Sequence, residues 1–280
     1  MKTDKIEVMI LGTAQDGGIP QLGCDCSHCR AAWEDDSERR LVASLGIVDH
    51  EAKAYWLVDS SPDMREQVHL LVSSFPGYRL AGLLLTHAHM GHYLGMAFLG
   101  RESWDTQHLP VLCTQRMANF LKTNQPWKQL VELVNIAPTI VKPGNPVQLG
   151  SAVAATPILV PHRDEVSDTV AWRITGPKRR LVYCPDIDRW EGPILEAIDD
   201  ADIALLDGTF YSTDELPGRD VSEIPHPCIA DSMNAFQDFE TDIRFIHLNH
   251  SNRLVSDERL IERVKEHGFD IGKGGSRIQL

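Results

Sequence analysis

Five short apolar runs in this chain end within two residues of an aspartate or a histidine. Ala54–Val58 leads to Asp59, Leu83–Thr86 to His87, Leu181–Cys184 to Asp186, Ile203–Leu206 to Asp207 and Ile243–Leu248 to His250. Such runs, rich in Val, Ile, Leu and Tyr, read as buried strands. A metal-capable side chain at the end of a buried strand sits on a rigid edge. The pattern therefore constrains the chain to a fold in which several strands end at a working rim. Further strand-like runs are Glu7–Leu11, Ser44–Val48, Pro110–Cys113, Val153–Ile158 and Val170–Ile174. Helical patterns cover Pro62–Ser73, His92–Leu99, Thr114–Lys122, Pro193–Asp199, Ile229–Phe236 and Ser256–His267, with Ser60 and Ser61 as N-cap chemistry before Pro62. Strands with interspersed helices predict an α/β architecture. The absence of a linker or repeat in the sequence predicts one domain over residues 1–280.

Charge narrows the function. With 40 acidic and 27 basic residues the formal charge is −13. Nucleic-acid phosphates require clustered Lys and Arg, and anionic membrane surfaces attract basic segments, so neither is an expected partner. No stretch approaches the roughly 20 apolar residues of a membrane span. Lys2, Asp4, Lys5 and Glu7 interrupt the start of the chain, which argues against a signal peptide. The expectation is a cytoplasmic protein acting on a small molecule.

Two clusters carry the chemistry. Thr86-His87-Ala88-His89-Met90-Gly91-His92 places three imidazoles within six residues just after an apolar strand. His87 and His89 can converge on one ion, and His92 can face the same ion or a second. Neutral imidazole is a preferred ligand for zinc, iron and related metals. The second cluster is Cys24-Asp25-Cys26-Ser27-His28-Cys29. Three thiolates so closely spaced, in a reducing compartment, bind zinc well, and a fourth ligand closes a tetrahedral structural site.

The histidine run resembles the His-x-His-x-x-His motif of the metallo-β-lactamase superfamily. Asp59 in Leu57-Val58-Asp59, His162 in Val160-Pro161-His162, Asp186 in Cys184-Pro185-Asp186 and His250 in Asn249-His250-Ser251 are similar to further landmarks of that superfamily, in order. Within it the chain resembles the pyrroloquinoline quinone biosynthesis protein B family. Leu11-Gly12-Thr13-Ala14, Gly17-Gly18-Ile19-Pro20, the cysteine cluster and Leu206-Asp207-Gly208-Thr209-Phe210 carry that resemblance. The cysteine pattern is also similar to that of the carbon–phosphorus lyase pathway phosphodiesterase family. The resemblance implies a single αββα sandwich with metals at the open edge between its sheets. A homodimer is expected on the same ground.

The implied ligands of one metal are His87, His89, His162 and Asp186, and those of a poorer second site are His92, Asp186 and His250. Asp186 is also a candidate catalytic base. Gly91 stands where the superfamily motif has an aspartate, which predicts a weakened second position. The implied fourth ligand of the cysteine site is His226, with Cys228 and His28 as rivals. Asp59 and Asp207 are expected to orient ligand histidines, and His247, alternating with Phe245, is expected in the core. One or two zinc ions, or iron or manganese, suit the histidine site, and zinc suits the cysteines. The leading functional expectation is a metal-dependent hydrolase acting on a phosphodiester or small ester. The alternatives are an iron-dependent oxidation in cofactor biosynthesis and a non-catalytic metal-binding or carrier protein.

Overall fold

The computed structural model describes residues 5–215 and 224–280. Strands β1 (Ile6–Gly12), β2 (Ser44–Asp49), β3 (Ala54–Val58), β4 (Arg79–Leu84), β5 (Leu109–Cys113) and β6 (Ile136–Ile140) lie side by side in chain order. A second sheet takes β7 (Val147–Gln148), β8 (Ala154–Val160), β9 (Thr169–Thr175), β10 (Arg180–Cys184), β11 (Ile203–Asp207), β12 (Asp242–Ile246) and β13 (Asp270–Ile271). The last strand, β14 (Arg277–Gln279), returns to the first sheet antiparallel to β1.

Side-chain alternation explains why these strands read as continuous apolar runs. Ile6, Val8 and Ile10 of β1 pack between the sheets with Leu181 and Tyr183 of β10 and Ile203 and Leu205 of β11. The intervening residues face outward. Met9 and Leu11 meet a helical layer, and Val182, Cys184, Ala204 and Leu206 meet another. With both faces of each sheet covered, neither face need be polar. The outer layers contain α1 (Ser27–Glu34), α2 (Met64–Ser74), α3 (Met90–Tyr93), α4 (Gln115–Thr123), α5 (Trp127–Glu132), α6 (Pro193–Asp199), α7 (Ile229–Ala235) and α8 (Glu258–Glu266). The result is the expected αββα sandwich.

Strands β3 to β6 run parallel, as do β10 to β13. Their carboxyl ends therefore gather at one edge, where open α/β sheets place ligands. Asp59, His87, Asp186 and His247 follow those ends, and Asp207 is the last residue of β11.

Several elements differ from the sequence reading. The helix expected from Pro62 starts at Met64, because Ser61 Oγ accepts the Asp63 N–H and donates to Gln67 Oε1 rather than capping the first turn. His92–Leu99 divides into the short α3 and a tighter 3₁₀ stretch, Leu94–Leu99. Strand β6 lies outside the runs read as strands; it contains Pro138 and is an edge strand, where a missing N–H costs no ladder bond. Helix α1, which carries Cys29 and buries Ala32, lacked a readable apolar stripe. Ile243–Leu248 is not one strand. It stops at Ile246, and His247 turns into left-handed backbone with φ 61°.

Candidate metal centre

Asp186, buried after β10, stands at the centre of the rim. Its Oδ2 lies 2.9 Å from His92 Nε2, 3.4 Å from His247 Nε2 and 3.5 Å from His87 Nε2. Its Oδ1 lies 3.7 Å from both His162 Nε2 and His226 Nδ1. Burial opposes a charge on this carboxylate, but the attraction of His247, His92, His162 and His87 overcomes it and holds its pKa well below the usual range.

Two donor groups flank Asp186. His87, His89 and His162 form the first, and Asp16, His92 and His247 form the second with Asp186 itself. His89 Nδ1 and His162 Nε2 are 3.2 Å apart. Two nitrogens each about 2.0–2.1 Å from one tetrahedral zinc ion would lie about 3.3 Å apart. In the second group His92 Nε2 and His247 Nε2 lie 3.3 and 3.7 Å from Asp16 Oδ1.

The opposite nitrogen of most of these rings is already committed. His92 Nδ1–H donates to Asp59 Oδ2 at 2.8 Å, and His162 Nδ1–H donates to Asp188 Oδ1 at 2.8 Å. Thr86 Oγ1 donates to Asp59, so its remaining lone pair accepts His87 Nδ1–H at 3.0 Å. Likewise Thr209 Oγ1 donates to Asp207 and accepts His247 Nδ1–H at 3.0 Å. Carboxylates only accept, so these bonds fix the tautomers and leave the Nε2 lone pairs pointing at the rim. Asp59 itself has left-handed backbone, φ 65°, and its Oδ1 accepts Thr86 N–H at 2.8 Å. Backbone strain of this kind is stored where the surroundings over-determine it.

The residues fit a metal on one decisive count. Asp16 Oδ1, His87 Nε2, His92 Nε2, Asp186 Oδ2 and His247 Nε2 are all buried and have no hydrogen-bond partner. Leaving one buried polar atom unpaired costs about 1–3 kcal/mol, and a bound cation accounts for a cluster of them around one space. Burial and mutual repulsion also disfavour a second proton on His87 and His89. The pKa of His87 is driven well below normal, and burial with His162 lowers His89 to about 4. His92 differs. Burial opposes its charge, yet Asp59, Asp16 and Asp186 hold its pKa well above normal, so an ion at its Nε2 has to displace a proton there.

The cysteines form a separate site. Cys24, Cys26, Cys29 and His250 offer four ligand atoms within 4.8 Å of one another. His250 Nδ1 is 3.4 Å from Cys24 Sγ and 3.5 Å from Cys26 Sγ. A nitrogen and a sulfur about 2.0 and 2.3 Å from one tetrahedral zinc ion would be about 3.5 Å apart.

Two expectations are thereby corrected. His250 belongs to the cysteine site, not to the second position beside Asp186. His226 is not the fourth cysteine-site ligand; its Nδ1 donates to Asp207 Oδ2 at 2.7 Å, beside Asp186. Burial lowers the pKa of His226, but Asp207 and Asp186 raise it to about 9. Neither rival is a ligand in this arrangement. His28 Nδ1 hydrogen-bonds the His250 carbonyl at 2.7 Å, and Cys228 is buried at the start of α7. His247 is buried as expected but faces the rim, because the turn after Ile246 breaks the alternation assumed for it.

Asp16 was not foreseen. It follows Gln15 in a turn closed by Gly18 N–H to Gln15 O at 2.8 Å, with Gly18 at φ 68°. The glycine pair Gly17-Gly18 was the available signal.

Comparison with known proteins agrees with this fold. The sequence is 26% identical to the coenzyme PQQ synthesis protein B of Methylobacterium sp. (strain 4-46), over 98% of this chain and 100% of the relative. The fold is similar to that of zinc-bound PqqB from Methylobacterium extorquens, with a TM-score of 0.84 at 22% identity, covering 98% of this chain and 100% of the other. It is also similar to a diphosphatase of the PhnP family, with a TM-score of 0.73 at 20% identity over 98% and 96% of the two chains. The beta-lactamase superfamily domain matches residues 55–248, from the third strand to the residue after His247, and the chain belongs to that superfamily.

Proposed function

We propose that this protein is a metal-dependent hydrolase of a small phosphodiester or ester. The convergence of four buried, unpaired donor atoms on an equally unpaired Asp186 Oδ2 carries the reading. Zinc held there would supply Lewis acidity and lower the pKa of a bound water to about 7.

The chain's own groups supply the rest. His87, His89 and His162 would hold one ion, His92, His247 and Asp16 the other, with Asp186 shared between them. Asp186, ionised, is placed to accept the proton of an attacking water. His226, held by Asp207, whose charge raises its pKa, would give a proton to the leaving oxygen. Asp59, Asp188 and Thr209 keep the rings in register.

Size and charge support a small substrate. A cleft of about 500 Å³ opens beside His162, lined by Arg163, Asp164, Asp168, Asp188 and Glu191. Its volume suits a small molecule. Its acidic lining disfavours a polyanion and fits a monoanionic diester or a neutral ester.

The test is turnover of a generic aryl phosphodiester and an aryl ester by zinc-loaded protein. Hydrolysis at equal rates with and without oxygen, abolished by His89→Ala, supports the proposal. Inactivity of fully metallated protein across such a panel contradicts it. The full-length similarity to PQQ synthesis proteins favours a second reading, an iron-dependent oxidation in cofactor biosynthesis. Imidazole and carboxylate donors suit iron as well. Strict oxygen dependence of an iron-loaded preparation would select it.

A further inference from the structure

We infer that Asp16 is a ligand of the second metal position and that Gly91 is glycine because the Asp16 carboxylate fills the space a side chain there would need. The inference rests on the reading of the rim as a metal centre.

Three observations carry it. Asp16 Oδ1 is buried with no hydrogen-bond partner. It faces two ring nitrogens that are equally unpartnered, His92 Nε2 at 3.3 Å and His247 Nε2 at 3.7 Å. A Cβ added to Gly91 would collide with Asp16 Oδ1 and would stand 2.9 Å from both its Cα and its Cγ. Atoms so close belong to one volume, which two side chains cannot share. The chain fills it from the Gln15–Gly18 turn rather than from the start of α3.

A glycine at position 91, taken alone, predicts a weak second position. The carboxylate is instead supplied from 75 residues earlier, so the donor set of that position is complete: Asp16, His92, His247 and the shared Asp186. The turn is anchored on the other ligand strand. Gln15 N–H donates to Leu248 O at 2.9 Å, and Leu248 N–H donates to Thr13 O at 2.8 Å. Asp16 and His247 are thus fixed to each other by main-chain bonds before any ion arrives.

A pair of substitutions separates this from a merely structural role for Asp16. Zinc binding is titrated calorimetrically into chelator-treated protein, and cobalt(II) absorption reports ligand geometry. Asp16→Asn keeps the shape and removes the charge. It should weaken the second zinc equivalent of the rim by at least about 10–100-fold, the loss usual even for groups that only support ligands, leaving the first equivalent and the cysteine-bound zinc intact. Gly91→Asp alone sets two carboxylates in one space and should weaken the same equivalent. Asp16→Gly combined with Gly91→Asp moves the carboxylate across the gap and should recover much of the affinity.

Wild-type binding of both rim equivalents by Asp16→Asn, with His247→Ala losing one, overturns the role of Asp16 and leaves the metal centre standing. Wild-type protein that takes up zinc only at the cysteines overturns both. Should Asp16→Asn lose the cysteine-bound zinc through misfolding, the double variant decides: a recovered second equivalent supports the exchange, and an unrecovered one contradicts it.

Discussion

His247 and His250 are three residues apart and serve different clusters. His247 Nε2 lies 3.4 Å from Asp186 Oδ2, whereas His250 Nδ1 lies 3.4 Å from Cys24 Sγ. The same division occurs on the paired segment, where Asp16 faces the rim and Cys24, Cys26 and Cys29 surround His250. A metal at the cysteines would therefore cross-link the two segments just behind two ligands of the rim.

That arrangement makes the cysteine site a support for the histidine site. Cys26→Ser is expected to remove the cysteine-bound zinc and also to weaken the second rim equivalent, by about tenfold or more. The first equivalent, on His87, His89 and His162, should hold. Zinc titration of the variant checks it, and unchanged affinity at every rim position would refute the coupling.

The Asp59 carboxylate ties together Thr86 N–H, Thr86 Oγ1 and His92 Nδ1. Asp59→Asn retains a residue that tolerates the left-handed backbone but offers an amide where His92 needs an acceptor. The expected loss is about 10–100-fold in zinc affinity at the position of His92, with little change in far-UV circular dichroism. Equal affinity in the variant would show that Asp59 serves the fold alone.

His226 is predicted to matter in proportion to the leaving group. His226→Ala should slow hydrolysis of substrates with poorly stabilised alkoxide leaving groups by about 100-fold or more, and of nitrophenyl substrates far less. Zinc content should not fall. A uniform loss across leaving groups would remove the assignment of His226 as proton donor.

Trp172 is fully buried between the sheets, and its Nε1–H donates to the carbonyl of Leu85, just before the histidine run. Trp172→Phe leaves that carbonyl unpaired and a void beside it. The expected destabilisation is about 1–3 kcal/mol in urea unfolding, with an unchanged m-value. A stability equal to that of the parent would contradict the packing described.

How much of this was legible in the sequence differs residue by residue. His87, His89 and Asp186 announced themselves through strand ends and local spacing, and His162 through the superfamily resemblance. The cysteine triplet was equally visible. What the sequence hid was decided by backbone turns of one residue. Reading Ile243–Leu248 as a continuous strand sent His247 to the core and left His250 for the rim; one left-handed residue at His247 reverses both. His226 and His250 were each assigned to the wrong cluster because motif order along the chain does not determine which of two clusters a late histidine joins. Asp16 escaped because an aspartate before two glycines reads as an ordinary turn, and only the space in front of Gly91 gives it meaning.

The central claim is that the rim of the sandwich holds metal ions among these donors. The most direct measurement is an anomalous difference map at the zinc absorption edge from crystals grown with zinc. One peak is expected among His87, His89, His162 and Asp186, a second among Asp16, His92, His247 and Asp186, and a third among Cys24, Cys26, Cys29 and His250. A map with the cysteine peak alone, and with the Nε2 atoms of His87, His92 and His247 hydrogen-bonded to water, would contradict it.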